Sequence, residues 1–251
     1  MQKVALCIRG AISKHNIDFA LRENLYIDSP YIDYNQCYNS IVKHIINTNK
    51  DNYTFDIFCH CWNTDLELDI VNLYKPVNYY FEDNRNYNEE IENLCGLPTD
   101  FGGISQSLSL KKSIILKEQY EKTHNFFYDI IILYRYDVLL WKDIYLDNYP
   151  NLQNNIYVNA HPDSQGDFHF IMNNENSYNF KYLYDSIYLG NKHIVHYWIK
   201  NYVIHYLKKE LIMDNIIPGV NQEVLRKIYE FSINKGYLSN ELFESYKQIT
   251  K

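Results

Sequence analysis

The sequence predicts an α/β protein whose mostly parallel central sheet is flanked by helices, and three observations lead there. Short apolar, β-branched runs alternate with longer segments of helical periodicity, the spacing of βαβ units with right-handed crossovers. The central run, Ile130 to Leu133, is continuously apolar, as a strand buried on both faces must be. It then breaks into Tyr134-Arg135-Tyr136-Asp137, placing a guanidinium and a carboxylate where the strand ends. Ligands of open α/β sheets bind in the crevice beyond the carboxyl ends of the strands. A charge buried there needs a partner, which an internal Arg135–Asp137 ion pair supplies as readily as a ligand does.

Lys3 to Ile8 reads as the first strand, broken by Arg9-Gly10. Glycine there allows a tight turn or a close approach, and arginine suits a phosphate or a base edge. Asn35 to Ile46 has helical periodicity, Phe55 to Trp62 is the second strand, and a strand-like VNYYF ends at Phe81. His60 and Trp62 fall near the carboxyl end of the second strand; a histidine satisfied within the structure is the simpler account of His60. Residues 83–103 are polar, contain Pro98, Gly102 and Gly103, and read as a loop near the site. Ser105 is a suitable N-cap for a helix to Lys122, with Gln106 and Lys112 on its early turns. A polar helix N-terminus favours an anion, and a capped surface helix with one solvated lysine fits equally well.

Beyond the central strand, Asn155 to Ala160 and Asp167 to Met172 read as strands around a turn containing Asp163 and Gly166. Asp167 is placed to project into the same crevice. Asn173 or Asn174 caps a helix to Tyr188, and His193 to Lys209 is a helix carrying His193 and His196 on one side. Two further helices are expected at Glu223 to Asn234 and Ser239 to Gln248.

Composition narrows the function. The 251 residues suit one domain, and a net charge of −7 argues against a nucleic-acid partner, which normally meets a basic face. The 26 tyrosines are spread along the chain with abundant Asn, Ile and Lys, so they mark a compositional bias rather than a stacking platform. Five cysteines without a signal-peptide pattern suggest free thiols in a reducing, cytoplasmic compartment. Cys59-His60-Cys61 lacks a second ligand pair at zinc-finger spacing, so the two thiols read as small buried hydrophobes. No apolar run is long enough to span a membrane.

Four fragments in one order and spacing carry a resemblance: ALCIRG, DIFCHCW, SQSLSLKKS and YDIIILYRYDVLL. Over roughly residues 1–140 they resemble a family of bacterial and giant-virus glycosyltransferases of the GT-A fold, often encoded among capsule or lipooligosaccharide genes. That family has D-[VI]-F-x-H-x-W at the second strand, S-Q near the third helix and R-x-D after the central strand. Here these are Asp56 to Trp62, Ser105-Gln106 and Arg135-Tyr136-Asp137. The resemblance implies a single GT-A-like (Rossmann-like) domain over 1–251. Its nucleotide-sugar-binding half is 1–140, and its acceptor-binding half, 141–251, has a helical C-terminus.

The implied partners are a nucleotide-sugar donor and a saccharide or lipid-linked acceptor, which allows a peripheral position at the inner face of a membrane. The donor-binding candidates are Arg9, Gly10, Lys14, His60, Trp62, Ser105, Gln106, Lys112, Arg135 and Asp137. GT-A enzymes commonly hold Mn²⁺ or Mg²⁺ with a D-x-D motif, whose first acid is here Arg135. Asp137, with His193 or His196, then holds the cation, or Arg135 replaces its charge on the leaving diphosphate. Asp167, with Asp163 as runner-up, is the expected catalytic base of an inverting transfer. Two alternatives remain: a degenerate, non-catalytic module that binds nucleotide or glycan, and a sugar nucleotidyltransferase. The second lacks the glycine- and lysine-rich loop it would need after the first strand.

Overall fold

A computed structural model describes residues 1–12, 32–95, 100–160, 165–189, 195–216 and 222–224. Its centre is a seven-stranded sheet in the order β3-β2-β1-β4-β7-β6-β8. The strands are β1 (Gln2–Gly10), β2 (Tyr53–Cys61), β3 (Asn78–Phe81), β4 (Ile130–Arg135), β6 (Asn155–Ala160), β7 (Gln165–Met172) and β8 (Glu210–Met213). All neighbours pair in parallel except β7, which runs antiparallel to both β4 and β6. This is the α/β, mostly parallel class that the sequence predicts.

The sheet is buried on both faces. Val4, Leu6 and Ile8 of β1 point into one layer with α1 (Tyr34–Ile41) and α2 (Glu67–Tyr74), through Cys37, Ile41, Ile70 and Tyr74. Ala5 and Cys7 point into the other, against Ile104, Leu108 and Ile114 of the long helix. That alternation explains why the strands read as unbroken apolar runs, since neither face meets water. Asp33 caps α1 by accepting the Gln36 N–H at 3.2 Å, and a π-type turn carries the chain on to Ile46.

Several expected elements differ. Residues 83–103 do not form one polar loop. A 3₁₀ turn, Asn84–Tyr87, leads into α3 (Asn88–Leu94), where buried Ile91 and Leu94 suffice to dock a helix on the long one. Glu89 and Glu90 lie in the first turn of α3, where the helix dipole favours negative charge. The long helix, α4 (Asp100–His124), starts before Ser105. Ser105 is therefore no N-cap; partly buried Phe101 and buried Ile104 hold the added turn, and the Ser105 hydroxyl donates to Asn84 Oδ1 at 3.3 Å.

Asn173 does cap α5 (Asn174–Phe180), accepting the Asn176 N–H at 2.8 Å, but 3₁₀ turns replace the α-helix from Lys181 to Leu189. The next helix, α6 (Val195–Asn201), passes into a π-type segment, Tyr202–Leu207, and stops at Lys208 in the left-handed region. Gln222–Val224 is strand β9, paired antiparallel with β5 (Val138–Leu140), so Glu223 and Val224 satisfy their backbone on a strand edge rather than in a helix. Residues 225–234 of the expected helix lie outside the described residues. The C-terminal half thus carries β8 and β9 as well as helix. Ser239 to Gln248 lies outside the described residues, and no described helix is long and apolar enough to cross a membrane.

Candidate active site

The strand order places the site. From β1 the chain builds outward to β2 and β3, then returns through α4 to lay β4 on the opposite side of β1. The β1/β4 boundary is therefore the topological switch point, where crossovers diverge and leave a crevice at the carboxyl ends. Register puts three basic residues side by side across it. Arg9 of β1 is paired with His60 of β2 on one side and with Arg135 of β4 on the other. Side chains paired across adjacent strands share a face, and here it is the face that packs on α4.

The three basic groups are satisfied very differently. Arg135 is closed: its Nε and Nη2 each donate at 2.8 Å to the two oxygens of Asp137, a bidentate fork. Its Nη1 reaches Asp167 Oδ2 at 3.3 Å. Phe168 lies under this guanidinium, 5.3 Å from ring centre to Cζ. Gln106 of α4 donates to the same Asp167 oxygen at 2.6 Å. Asp137 and Asp167 are both buried, so this charge is held away from bulk water.

His60 is closed as well. Its Nδ1 lies 2.7 Å from Ser109 Oγ and its Nε2 lies 2.9 Å from Glu82 Oε1. Lys112 approaches Glu82 Oε1 at 2.6 Å and donates to the Tyr87 hydroxyl at 2.6 Å, which in turn donates to Glu82 Oε2 at 2.6 Å. The Trp62 indole meets the His60 ring edge-on at 4.6 Å. Burial pushes the His60 pKa down, with Glu82 opposing it. Burial alone would raise the Glu82 pKa, but hydrogen bonds from His60, Lys112 and Tyr87 outweigh it and bring Glu82 to about 2.

A pH dependence follows from that shift. Folded Glu82 holds its proton less tightly than the unfolded residue, whose pKa is ordinarily about 4.5. Its stabilising contribution is therefore present above pH 4.5 and is lost as pH falls towards 2. The melting temperatures of the wild type and Glu82→Gln should differ most near neutrality and converge in acid. A gap that stays constant across this range would show that the carboxylate does not stabilise the fold through its charge.

Arg9 stands apart from its two neighbours. It is completely buried, and its Nη2 donates at 3.0 Å to the backbone carbonyl of Asp167. Its Nε and Nη1 have no hydrogen-bond partner among the described residues. Burial, with Arg135 adjacent, pushes its pKa down to about 9, against the pull of Asp167 and Asp137. Gly10 follows with φ at +108°, a conformation that glycine accepts without strain, and its carbonyl takes the Trp62 N–H at 3.1 Å.

The structure thus gathers Arg9, Gln106, Arg135, Asp137 and Asp167 at one point, with Gly10 at the strand end. His60, Trp62 and Lys112 form an adjoining cluster with Glu82, Tyr87 and Ser109, whose polar groups are engaged with one another. Ser105 lies beside Asn84, with its hydroxyl donating there rather than into either cluster. Lys14, Asp163 and His193 lie outside the described residues, as does the side chain of His196. Gly166 does more than turn the chain: it lies in β7, where a Cβ would fall 1.9 Å from Asn159 Nδ2. Asn159 in turn accepts the Phe168 N–H at 2.9 Å, so this close approach sets the path of the strand that presents Asp167.

Glu82 escaped the sequence candidates, although the rule that selects Arg9 and His60 also selects it: it is the first polar residue past the end of β3. Cys59 and Cys61 are buried in the opposite layer from His60, and burial pushes the Cys59 thiol up to about 12, as expected of inert core thiols. A separate cleft of about 550 Å³ lies between Lys142, Tyr145, Tyr149, Tyr157 and Asp214. Its polar groups are engaged too: Asp214 with His169 at 2.7 Å and with Tyr149 at 3.2 Å, and Lys142 with the Asn215 carbonyl at 3.1 Å.

Of the expected metal ligands, Asp137 is the one whose side chain lies among the described residues. Both oxygens of Asp137 already face the Arg135 fork, so a cation there would meet a guanidinium sharing the same carboxylate. No group of three His, Cys, Asp or Glu side chains converges as a metal site among the described residues.

No family model matches the chain, and no curated protein matches it in sequence. Distant likenesses exist among solved structures. The bifunctional glycosyltransferase WbbM is similar at 11% identity over 86% of this chain and 39% of its own, with a TM-score of 0.43. The glycosyltransferase GlyE of Streptococcus pneumoniae is similar at 11% identity over 85% of this chain and 46% of its own, with a TM-score of 0.41. A nucleoside-diphosphate-sugar pyrophosphorylase of Vibrio cholerae is similar at 9% identity over 91% of this chain and 98% of its own, with a TM-score of 0.45. The chain spans less than half the length of the first two.

Proposed function

We propose that this chain is a glycosyltransferase that moves a sugar from a nucleotide-activated donor to a saccharide acceptor, of the kind found in capsular polysaccharide or lipooligosaccharide. The observation that carries the reading is the Arg9, Arg135, Asp137 and Asp167 cluster at the β1/β4 switch point. That crevice is where an α/β sheet of this order binds a nucleotide, and the R-x-D resemblance supplies the reaction class.

The chemistry asks two things of the site. Negative charge that develops on the departing nucleoside diphosphate must be stabilised, and preorganised cations in a dry crevice do this without reorganising. Arg9, held by a backbone carbonyl rather than a carboxylate, is such a cation, and Arg135 beside it is already paired with Asp137. An acceptor hydroxyl must also lose its proton if the anomeric centre inverts, and Asp167 is the carboxylate assigned to receive it. Gln106 and Arg135 fix its orientation. The single bidentate Arg135–Asp137 pair is also what a non-catalytic descendant would retain, so nucleotide binding and sugar turnover must be tested separately.

A thermal-shift panel of UDP, GDP, CMP and their sugar conjugates tests the reading. A ligand at one hundred times its dissociation constant adds about 2.7 kcal/mol, which raises the melting temperature by several degrees. One nucleotide class should do so, and its sugar conjugate should release the free nucleotide (UDP, GDP or CMP) on incubation. No shift with any of them would overturn the proposal, and a shift without turnover would favour the binding module.

A further inference from the structure

We infer that the cleft beside β6, between residues 142–149 and the chain just after β8, is a second binding site that takes an uncharged saccharide. It is separate from the transfer crevice, because the sheet lies between them. Arg9 and Arg135 face α4, with Ala5 and Cys7, whereas Tyr149 and Tyr157 belong to the layer of Val4, Leu6 and Ile8. A sugar held in the cleft is therefore not the reacting one, but a more distant part of a glycan. The inference does not need the transferase reading, since a glycan-binding module would use the same cleft.

The volume of about 550 Å³ falls among ligand pockets, which run to roughly 300–1,000 Å³. Three tyrosines line it: Tyr145, half exposed, and the buried pair Tyr149 and Tyr157, edge to face at 5.0 Å. The hydroxyls of that pair are spent, Tyr157 on the Pro150 carbonyl at 2.7 Å and Tyr149 on Asp214 at 3.2 Å, so it offers ring surface. The C–H faces of a sugar pack on such rings, and the sugar's hydroxyls then need donors and acceptors around them.

The cleft supplies both. Its two carboxylates are held from behind by buried histidines: Asp143 Oδ1 lies 2.6 Å from His44 Nδ1, and Asp214 Oδ2 lies 2.7 Å from His169 Nε2. Asp143 is partly exposed, and its Oδ2 meets the Tyr145 hydroxyl at 3.3 Å, which leaves room for a second donor. The exposed side-chain amides of Asn148 and Asn215 make no hydrogen bond among the described residues, and each offers donor and acceptor. Lys142 spends one of its three hydrogens on the Asn215 carbonyl. Charge then selects the ligand. An anion would face Asp143 and Asp214, and a cation would face Lys142 and carboxylates already engaged by histidine and tyrosine. A neutral polyol meets neither penalty.

The test is calorimetric titration of the full chain, without nucleotide, with maltotriose, lactose and N,N′-diacetylchitobiose. Sialyllactose serves as an anionic counterpart and fully deacetylated chitobiose as a cationic one. The best neutral sugar should bind at least about tenfold more tightly than either charged one. Tyr145→Ala, a change at a half-exposed ring, should weaken it about tenfold or more. Asp167→Asn, in the transfer crevice, should leave its affinity within about twofold. No binding of any neutral sugar would overturn the inference and leave the nucleotide-sugar reading to its own test. A charged sugar that binds as tightly as the best neutral one would overturn it too, and that comparison needs no variant. Sugar binding that Asp167→Asn abolishes and Tyr145→Ala spares would move the saccharide to the transfer crevice, against the inference and in favour of the transferase.

Discussion

Replacing Arg135 with methionine should cost about 3–5 kcal/mol of folding stability, the range for stripping the partner from a buried charge. The cost is large because one guanidinium serves two buried carboxylates: it forks onto Asp137 and reaches Asp167. Methionine fills a similar volume, so packing changes contribute little and the loss reports the uncompensated charge. Removing Asp137 in the same chain, as Arg135→Met with Asp137→Leu, should recover part of it, because replacing both members of a buried pair is often near neutral. Denaturant unfolding of the two variants measures this directly. A change below about 1 kcal/mol for Arg135→Met would mean that water reaches the pair and that the crevice is not dry.

Asp167→Asn should reduce sugar transfer about 10²- to 10⁴-fold, the usual contribution of a positioned general base, while donor affinity stays within a few fold. The substitution is nearly isosteric and leaves the backbone carbonyl of Asp167 to hold Arg9. Rate and binding are thereby separated at a single residue. Steady-state transfer with saturating donor, beside donor titration, reads both. Undiminished transfer would remove Asp167 from the chemistry and leave it as a support for Arg135 and Gln106.

Much of this site is written in the order of residue types along the chain. Apolar runs that end in Arg9-Gly10, His60 and Arg135-Tyr136-Asp137 are visible because strands buried on both faces leave no polar residue until they reach the edge. Asp167 is visible because it follows a glycine at the start of an alternating run. The sequence does not contain the register. Nothing local says that Arg9 faces both His60 and Arg135, or that two of the three are saturated while the middle one is not. That depends on β1 lying between β2 and β4, a consequence of how the crossovers wind.

The errors have physical causes of the same kind. Residues 84–94 carry too few apolar side chains to signal a helix, yet Ile91 and Leu94 are enough once α4 offers a surface. Glu223 and Val224, expected to open a helix, pair instead with the edge of β5, which only the folded chain presents. Asn159 against Gly166 is a contact between adjacent strands, invisible in a sequence where Gly166 looks like an ordinary turn residue.

The most direct test of the central claim is a crystal structure of the chain with the nucleoside diphosphate that binds best. The diphosphate is expected at the carboxyl ends of β1 and β4, with a phosphate oxygen about 3 Å from a guanidinium nitrogen of Arg9. A nucleotide seated instead in the cleft beside Tyr149, Tyr157 and Asp214, with Arg9 still sealed, would contradict it.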